Sequence, residues 1–213
     1  MAALCHVSSP AAGGGTGKSP KDQPVLLCAN HSSAVDPILL ICAMRQDFPL
    51  RIMAKKQLMK IPVVGAFLRA IGVFGVDRGN SDIAAVKTSI QSLRDGWNLL
   101  VFPEGTRVKE PGSVDVKGGV GMMAIRSGVP LVPVFIGRDK RLFHRVSIII
   151  GKPYDPVYTG RKGTAEDYQS NAEEIMRRAY ALGESNGRGK SSQKRRFLLR
   201  RGAGCEAGGG DSP

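Results

Sequence analysis

His31 and Asp36, five residues apart, lie in the polar turn Asn30-His31-Ser32-Ser33-Ala34-Val35-Asp36-Pro37, which follows the apolar run Val25 to Ala29. A neutral imidazole can take the proton of a hydroxyl, while a carboxylate on its other ring nitrogen fixes the tautomer and stabilises the imidazolium that forms. Acyl transfer to an alcohol needs this pairing, and a short turn can fold the carboxylate back onto the ring. The same residues also have a plainer reading, in which Asp36 caps a helix and His31 is a turn residue. A bare His-x4-Asp does not separate the two.

A second polar segment, Phe102-Pro103-Glu104-Gly105-Thr106-Arg107, leaves the apolar run Asn98 to Phe102. Gly105 lets backbone approach a ligand closely, Thr106 offers a hydroxyl, and Arg107 offers a planar fork suited to phosphate oxygens. Arg78 follows the apolar run Gly72 to Val76 in the same way. Each arginine alone fits a surface ion pair. Two at strand ends beside a His/Asp pair fit a phosphate better. The stretch Ala12 to Ser19, AGGGTGKS, imitates a phosphate-binding loop, but Pro20 follows it directly and no strand is expected before it, so nucleotide binding is not expected there.

These turns need a scaffold, and the chain supplies alternating segments. Strands are predicted near 25–29, 50–54, 72–76, 98–102, 131–136 and 146–150, with helices between most of them. The clearest helix covers about 82–95, where Ile83, Val86, Ile90 and Leu93 repeat at helical spacing behind the capping candidates Asn80 and Ser81. Another runs over about 165–181. There Thr164 and Asp167 make a capping-box pattern, and Tyr168, Ala172, Ile175, Met176 and Ala179 share a face. This order predicts a single-domain α/β sandwich with a largely parallel or mixed sheet flanked by helices, its polar turns at the carboxyl ends of the strands.

At 213 residues with 42% hydrophobic content, one domain with a sizeable core is expected. The expected division is an N-terminal segment, 1–23, too rich in Gly, Pro and Ser for regular structure, a folded domain over 24–182, and a basic tail without regular structure over 183–213. The net charge is +13. Residues 183–213 hold seven Lys and Arg against three acids, a net +4, which leaves +9 on the rest. Such an excess implies a polyanionic partner: nucleic acid, an anionic membrane surface or a phosphorylated substrate. Aromatic content of 6%, with no basic stripe carrying interleaved aromatics outside the tail, argues against the first. The four cysteines form no C-x-x-C pair, and a reduced intracellular protein is expected. No run of 18 uncharged apolar residues occurs, so membrane contact is expected to be peripheral. Ile61 to Val76, apolar except for Arg69, is either buried packing or a face that dips into a bilayer.

Asn30 to Asp36 resembles the first motif of the glycerolipid acyltransferases, of the 1-acyl-glycerol-3-phosphate acyltransferase type. Gly75-Val76-Asp77-Arg78 resembles the second, Phe102 to Arg107 the third, and Val129-Pro130-Leu131-Val132-Pro133-Val134 the fourth, in the family's order. Met53 to Leu58 and Ile61 to Gly65 are also similar, and the resemblance covers roughly residues 24–182. It implies transfer of an acyl group from acyl-coenzyme A or acyl carrier protein to the sn-2 hydroxyl of lysophosphatidic acid, forming phosphatidic acid. His31 and Asp36 would be the catalytic pair. Arg78, Glu104, Gly105, Thr106 and Arg107 would hold the acceptor, with Lys55 and Lys117 beside them. No metal, cofactor or covalent nucleophile is implied, because the hydroxyl attacks the thioester itself. The expected setting is the cytoplasm, against an anionic membrane surface. The same dyad would also serve another acceptor, such as glycerol-3-phosphate or a different lysolipid; nucleic-acid binding is the rival from another class. The chain departs from the family in having 29 residues before Asn30, where members usually carry several dozen, and Val116 where an aromatic residue is common.

Overall fold

The computed structural model describes residues 5–8, 23–44, 50–55, 59–63, 65–66, 73–76, 82–108, 110, 115–138, 140 and 146–202. Among them is a sheet of seven strands: β1 (Cys5–Ser8), β2 (Leu26–Ala29), β3 (Leu50–Lys55), β4 (Val73–Val76), β5 (Asn98–Val101), β6 (Leu131–Ile136) and β7 (Val146–Ile150). Their order is β1-β7-β6-β2-β5-β3-β4. All neighbours run parallel except β6 and β7.

Strand residues alternate between two faces, and both faces are covered, which is why the strands read as continuous apolar runs. Leu26, Cys28, Leu99, Val101 and Leu131 point to one side. There they meet α2 (Asp82–Arg94), α3 (Gly119–Ser127) and α4 (Ala165–Gly202) through Val86, Leu93, Val120, Met123, Ile175 and Met176. Val25, Leu27, Leu100, Val132 and Val134 point to the other side, where Leu39 and Leu40 of α1 (Asp36–Ala43) pack on them.

The α4 face expected from its spacing, Tyr168, Ala172, Ile175, Met176 and Ala179, is buried. Its cap forms as the sequence pattern predicts: the Asp167 amide donates to Thr164 Oγ1 at 3.1 Å, and the Thr164 amide donates to Asp167 Oδ2 at 2.7 Å. In α2, Val86 and Leu93 are buried and Ile90 packs against the same core.

At both ends the structure differs from what composition suggests. Cys5–Ser8 forms a strand inside the segment 1–23, adding in parallel to β7 with Cys5 opposite Val146. An edge strand offers a row of unpaired backbone groups that four residues can satisfy whatever their flanks contain. Helix α4 continues past Gly183 to Gly202, into the segment 183–213. The Lys, Arg, Gln and Leu there are good helix formers, and each added turn extends a helix already nucleated.

Candidate active site

The five strands β6, β2, β5, β3 and β4 run parallel, so their carboxyl ends make one rim. The turn after β2 carries His31. The turn after β5 carries Glu104 to Arg107. Lys55 ends β3, and the segment after β6 reaches Lys140. Arg78, the capping candidates Asn80 and Ser81, and the Lys55 side chain lie outside the described residues.

His31 and Asp36 meet. Nδ1 of the imidazole lies 3.1 Å from Asp36 Oδ2. An ionised carboxylate only accepts, so Nδ1 carries the proton of the neutral ring and Nε2 keeps its lone pair. Asp36 is the first residue of α1, and Pro37 beside it suits the first helical turn. The plainer reading of Asp36 as a cap does not hold: Val35 stands at the cap position with no side-chain cap bond, and the Asp36 carboxylate turns back onto the imidazole. The amides of Ser32 and Ser33 each donate to Oδ2 at 2.7 Å. Lys140 Nζ forms an ion pair with Oδ1. Asp36 is fully buried while His31 keeps 18% of its side chain exposed, an arrangement that lets the ring reach a ligand and its partner stay dry. Burial pushes the Asp36 carboxyl up. The bonds from His31, Lys140, Ser33 and Ser32 outweigh that and hold it below its ordinary value.

The ring rests on Phe102, with centroids 4.4 Å apart. Asn30, just before it, is tied to β6 by two bonds: its side-chain amide donates to the Ile136 carbonyl at 3.0 Å, and the Ile136 amide donates to its oxygen at 2.7 Å. The Val108 amide donates to the His31 carbonyl at 2.7 Å, so the segment after β5 clamps the turn after β2.

Glu104 is 4% exposed and binds its own chain on both oxygens. Oε2 accepts the His31 amide at 2.9 Å, and Oε1 accepts the Tyr180 hydroxyl. Sequence reading placed Glu104 among the acceptor ligands; its contacts here instead fix the backbone of His31 to α4. Burial and the Glu104 hydrogen bond push the Tyr180 phenol up. Gly105 has φ +65°, the left-handed region that favours glycine, and a Cβ there would lie 3.4 Å from Lys117 Cε. Gly105 and Lys117 are therefore neighbours, whereas Thr106 and Arg107 are exposed on the rim.

A cavity of about 1100 Å³ opens from this rim between α2 and α3, close to the range of roughly 300–1,000 Å³ usual for ligand pockets. Phe102, Gly105 and Lys117 stand at one end, and Val86, Ile90 and Met123 are among its walls. Phe102 both lines the cavity and stacks on the His31 ring. Cys28 is buried in the core and its thiol is pushed up by burial, which makes it a poor nucleophile.

Sequence reading missed Lys140 and Tyr180. Neither belongs to a motif, and they come to the site from more than 70 residues away, Lys140 from 108 residues beyond Ser32 and Tyr180 from 76 beyond Glu104. A local pattern cannot register such contacts.

Residues 14–137 match the family model described as Acyltransferase. Over 139 residues the chain is 34% identical to the 1-acyl-sn-glycerol-3-phosphate acyltransferase of Bacillus subtilis, covering 63% of this chain and 68% of that one. It is 33% identical over 131 residues to the enzyme of the same name from Borreliella burgdorferi, covering 61% of this chain and 52% of the other. The chain thus spans about two thirds of the first relative and about half of the second. The crystal structure of the 1-acyl-sn-glycerophosphate acyltransferase from Thermotoga maritima superimposes with a TM-score of 0.62 at 27% identity, covering 86% of this chain and 73% of that one. A His/Asp pair at the carboxyl rim of the sheet is compatible with this match, and a family model that covers more than half the chain leads to one assignment: the protein belongs to the acyltransferase family.

Proposed function

We propose that the chain transfers an acyl group from a thioester, acyl-coenzyme A or acyl carrier protein, to the sn-2 hydroxyl of 1-acyl-sn-glycerol-3-phosphate, forming phosphatidic acid. The observation that carries this reading is the His31–Asp36 pair, whose imidazole rests on Phe102, a residue that also lines the apolar cavity. His31 Nε2 takes the proton of the acceptor hydroxyl as its oxygen attacks the thioester carbonyl. The tetrahedral adduct then collapses, the C–S bond breaks, and the leaving thiolate takes the proton from the imidazolium. Asp36 keeps Nδ1 protonated throughout and balances the transient positive charge. The cavity between α2 and α3 suits an acyl chain, because its walls offer apolar side chains and its rim offers cations. The relatives' names support lysophosphatidic acid as the acceptor.

Arg107 is exposed and is proposed to grip the acceptor's phosphate, with Arg78, Lys55 and Lys117 as further candidates. Offering the purified protein a panel of lysolipids with both donor types, and reading products by mass spectrometry, tests the whole scheme. Phosphatidic acid is the expected product. Arg107→Ala should lose about 10- to 150-fold in kcat/KM, the worth of one charge-assisted contact. The loss should be much smaller with a neutral monoacylglycerol. Equal losses on both acceptors would mean that Arg107 supports structure.

Among the described residues no helix is long and apolar enough to cross a membrane. The proposed contact is peripheral, through basic charge and an apolar face. Its support is the exposure of Ile61 and Val63, at 47% and 82%, on the segment whose apolar character suggested a bilayer face. Each Lys or Arg near an anionic bilayer contributes about 1 kcal/mol, screened within roughly 8–10 Å at physiological salt. Sedimentation with anionic vesicles should therefore be strong at low salt and fall steeply as salt rises. Binding that ignores both lipid charge and salt would exclude electrostatic anchoring.

A further inference from the structure

Lys140 follows β6 and reaches back to the turn after β2. Its ammonium donates to Ser32 Oγ at 2.6 Å and pairs with Asp36 Oδ1. The Lys140 side chain is 12% exposed, so its charge works in a poorly solvated place. The division of labour on Asp36 is complete: Oδ2 takes the imidazole and two amides, and Oδ1 takes the ammonium. Asp36 is on the Nδ1 side of the ring. Lys140, beyond Asp36, stands away from Nε2, where a substrate proton would arrive.

We propose that Lys140 is a positioning residue that sets both the orientation of Asp36 and the charge balance of the dyad. The proposal rests on His31 acting as the base under the function proposed above. A carboxylate that meets only an imidazole draws a proton onto that ring. With an ammonium on its other oxygen, the carboxylate divides its charge between two partners, and it favours a positive charge on the ring less strongly than it would alone. Lys140 thereby keeps the resting imidazole free to accept a proton, and its bond to Ser32 keeps the turn in register with the end of β6.

Glu104, after β5, touches the His31 amide and shares its charge with Tyr180 of α4. Arg138, after β6, acts on Tyr180. Lys117 stands over Gly105, on the cavity side. Lys140 is distinguished from these in meeting Asp36 directly.

The test is an NMR titration of the His31 imidazole in the full-length protein without substrate, paired with pH–rate profiles on lysophosphatidic acid. Lys140→Met should move the His31 midpoint up by about one pH unit, the lower end of what one nearby charge produces. The acid limb of the rate profile should move with it. Lys140→Gln, which keeps a donor and loses the charge, should shift it similarly, and Lys140→Arg should restore the wild-type midpoint. If folded Lys140→Met or Lys140→Gln protein, checked by thermal melting, leaves the midpoint in place, the proposal fails, and an equal loss of rate at every pH would point to structure alone. A shifted midpoint in a protein that acylates no lysolipid would uphold the role of Lys140 and overturn the proposed function instead.

Discussion

His31→Ala is expected to lower turnover by about 10²–10⁴-fold, the contribution a positioned general base makes to proton transfer. The fold should survive, because His31 is partly exposed and its backbone carbonyl and amide, not its ring, hold Val108 and Glu104. Asp36→Asn should be similarly damaging. An amide oxygen at that place can still accept from Nδ1, but it leaves Lys140 without its ionic partner and the imidazolium without a counter-charge. Near wild-type turnover in His31→Ala protein of normal melting temperature would refute the mechanism.

Asp36 also makes a stability prediction with a definite sign. Its carboxyl is held below the ordinary value by its bonds in the folded state. The stabilisation is therefore present above about pH 4, the unfolded carboxylate's range, and is lost as pH falls through the lower folded value. Denaturant titrations should show wild type more stable than Asp36→Asn at neutral pH, with the gap closing on acidification.

Gly121→Ala should be the most damaging small change outside the site. A Cβ on Gly121 would lie 2.1 Å from the Tyr168 carbonyl oxygen and 2.8 Å from its carbon, and these are backbone atoms of the first turns of α4. Backbone inside a packed helix cannot step aside as a flexible side chain can, so α3 and α4 must separate. Overpacking of this kind costs about 3 kcal/mol, which for a domain of this size lowers the melting temperature by roughly 6–12 °C. The same separation would widen the cavity that α3 lines. A melting temperature within roughly 2 °C of wild type would show that the two helices are not in this close contact.

The parts legible in the sequence are those that depend on local pattern. A strand buried on both faces must be a short apolar run, and β2, β5, β6 and β7 were readable for that reason. Helices α2 and α4 carried their spacing and, in α4, their cap. The turn Asn30 to Pro37 was legible because the two partners of the dyad are only five residues apart, within reach of one turn. The rim was legible by inference, since parallel strands must place their carboxyl ends together. Strand β1 was not, because four residues just ahead of a Gly- and Pro-rich stretch have no pattern of their own and take their conformation from the edge of β7.

By itself, then, the sequence determined the α/β alternation and put His31 and Asp36 within reach of each other in one turn after β2. Only the tertiary structure decided who supports that pair. Glu104 is drawn from the expected acceptor site to the His31 amide by Tyr180 of α4, and Asp36 is paired with Lys140 arriving from the end of β6. The reason is physical: a buried carboxylate must find partners for both oxygens, and which side chains stand within reach is set by how strands and helices pack, across separations of 76 and more residues that no local periodicity encodes.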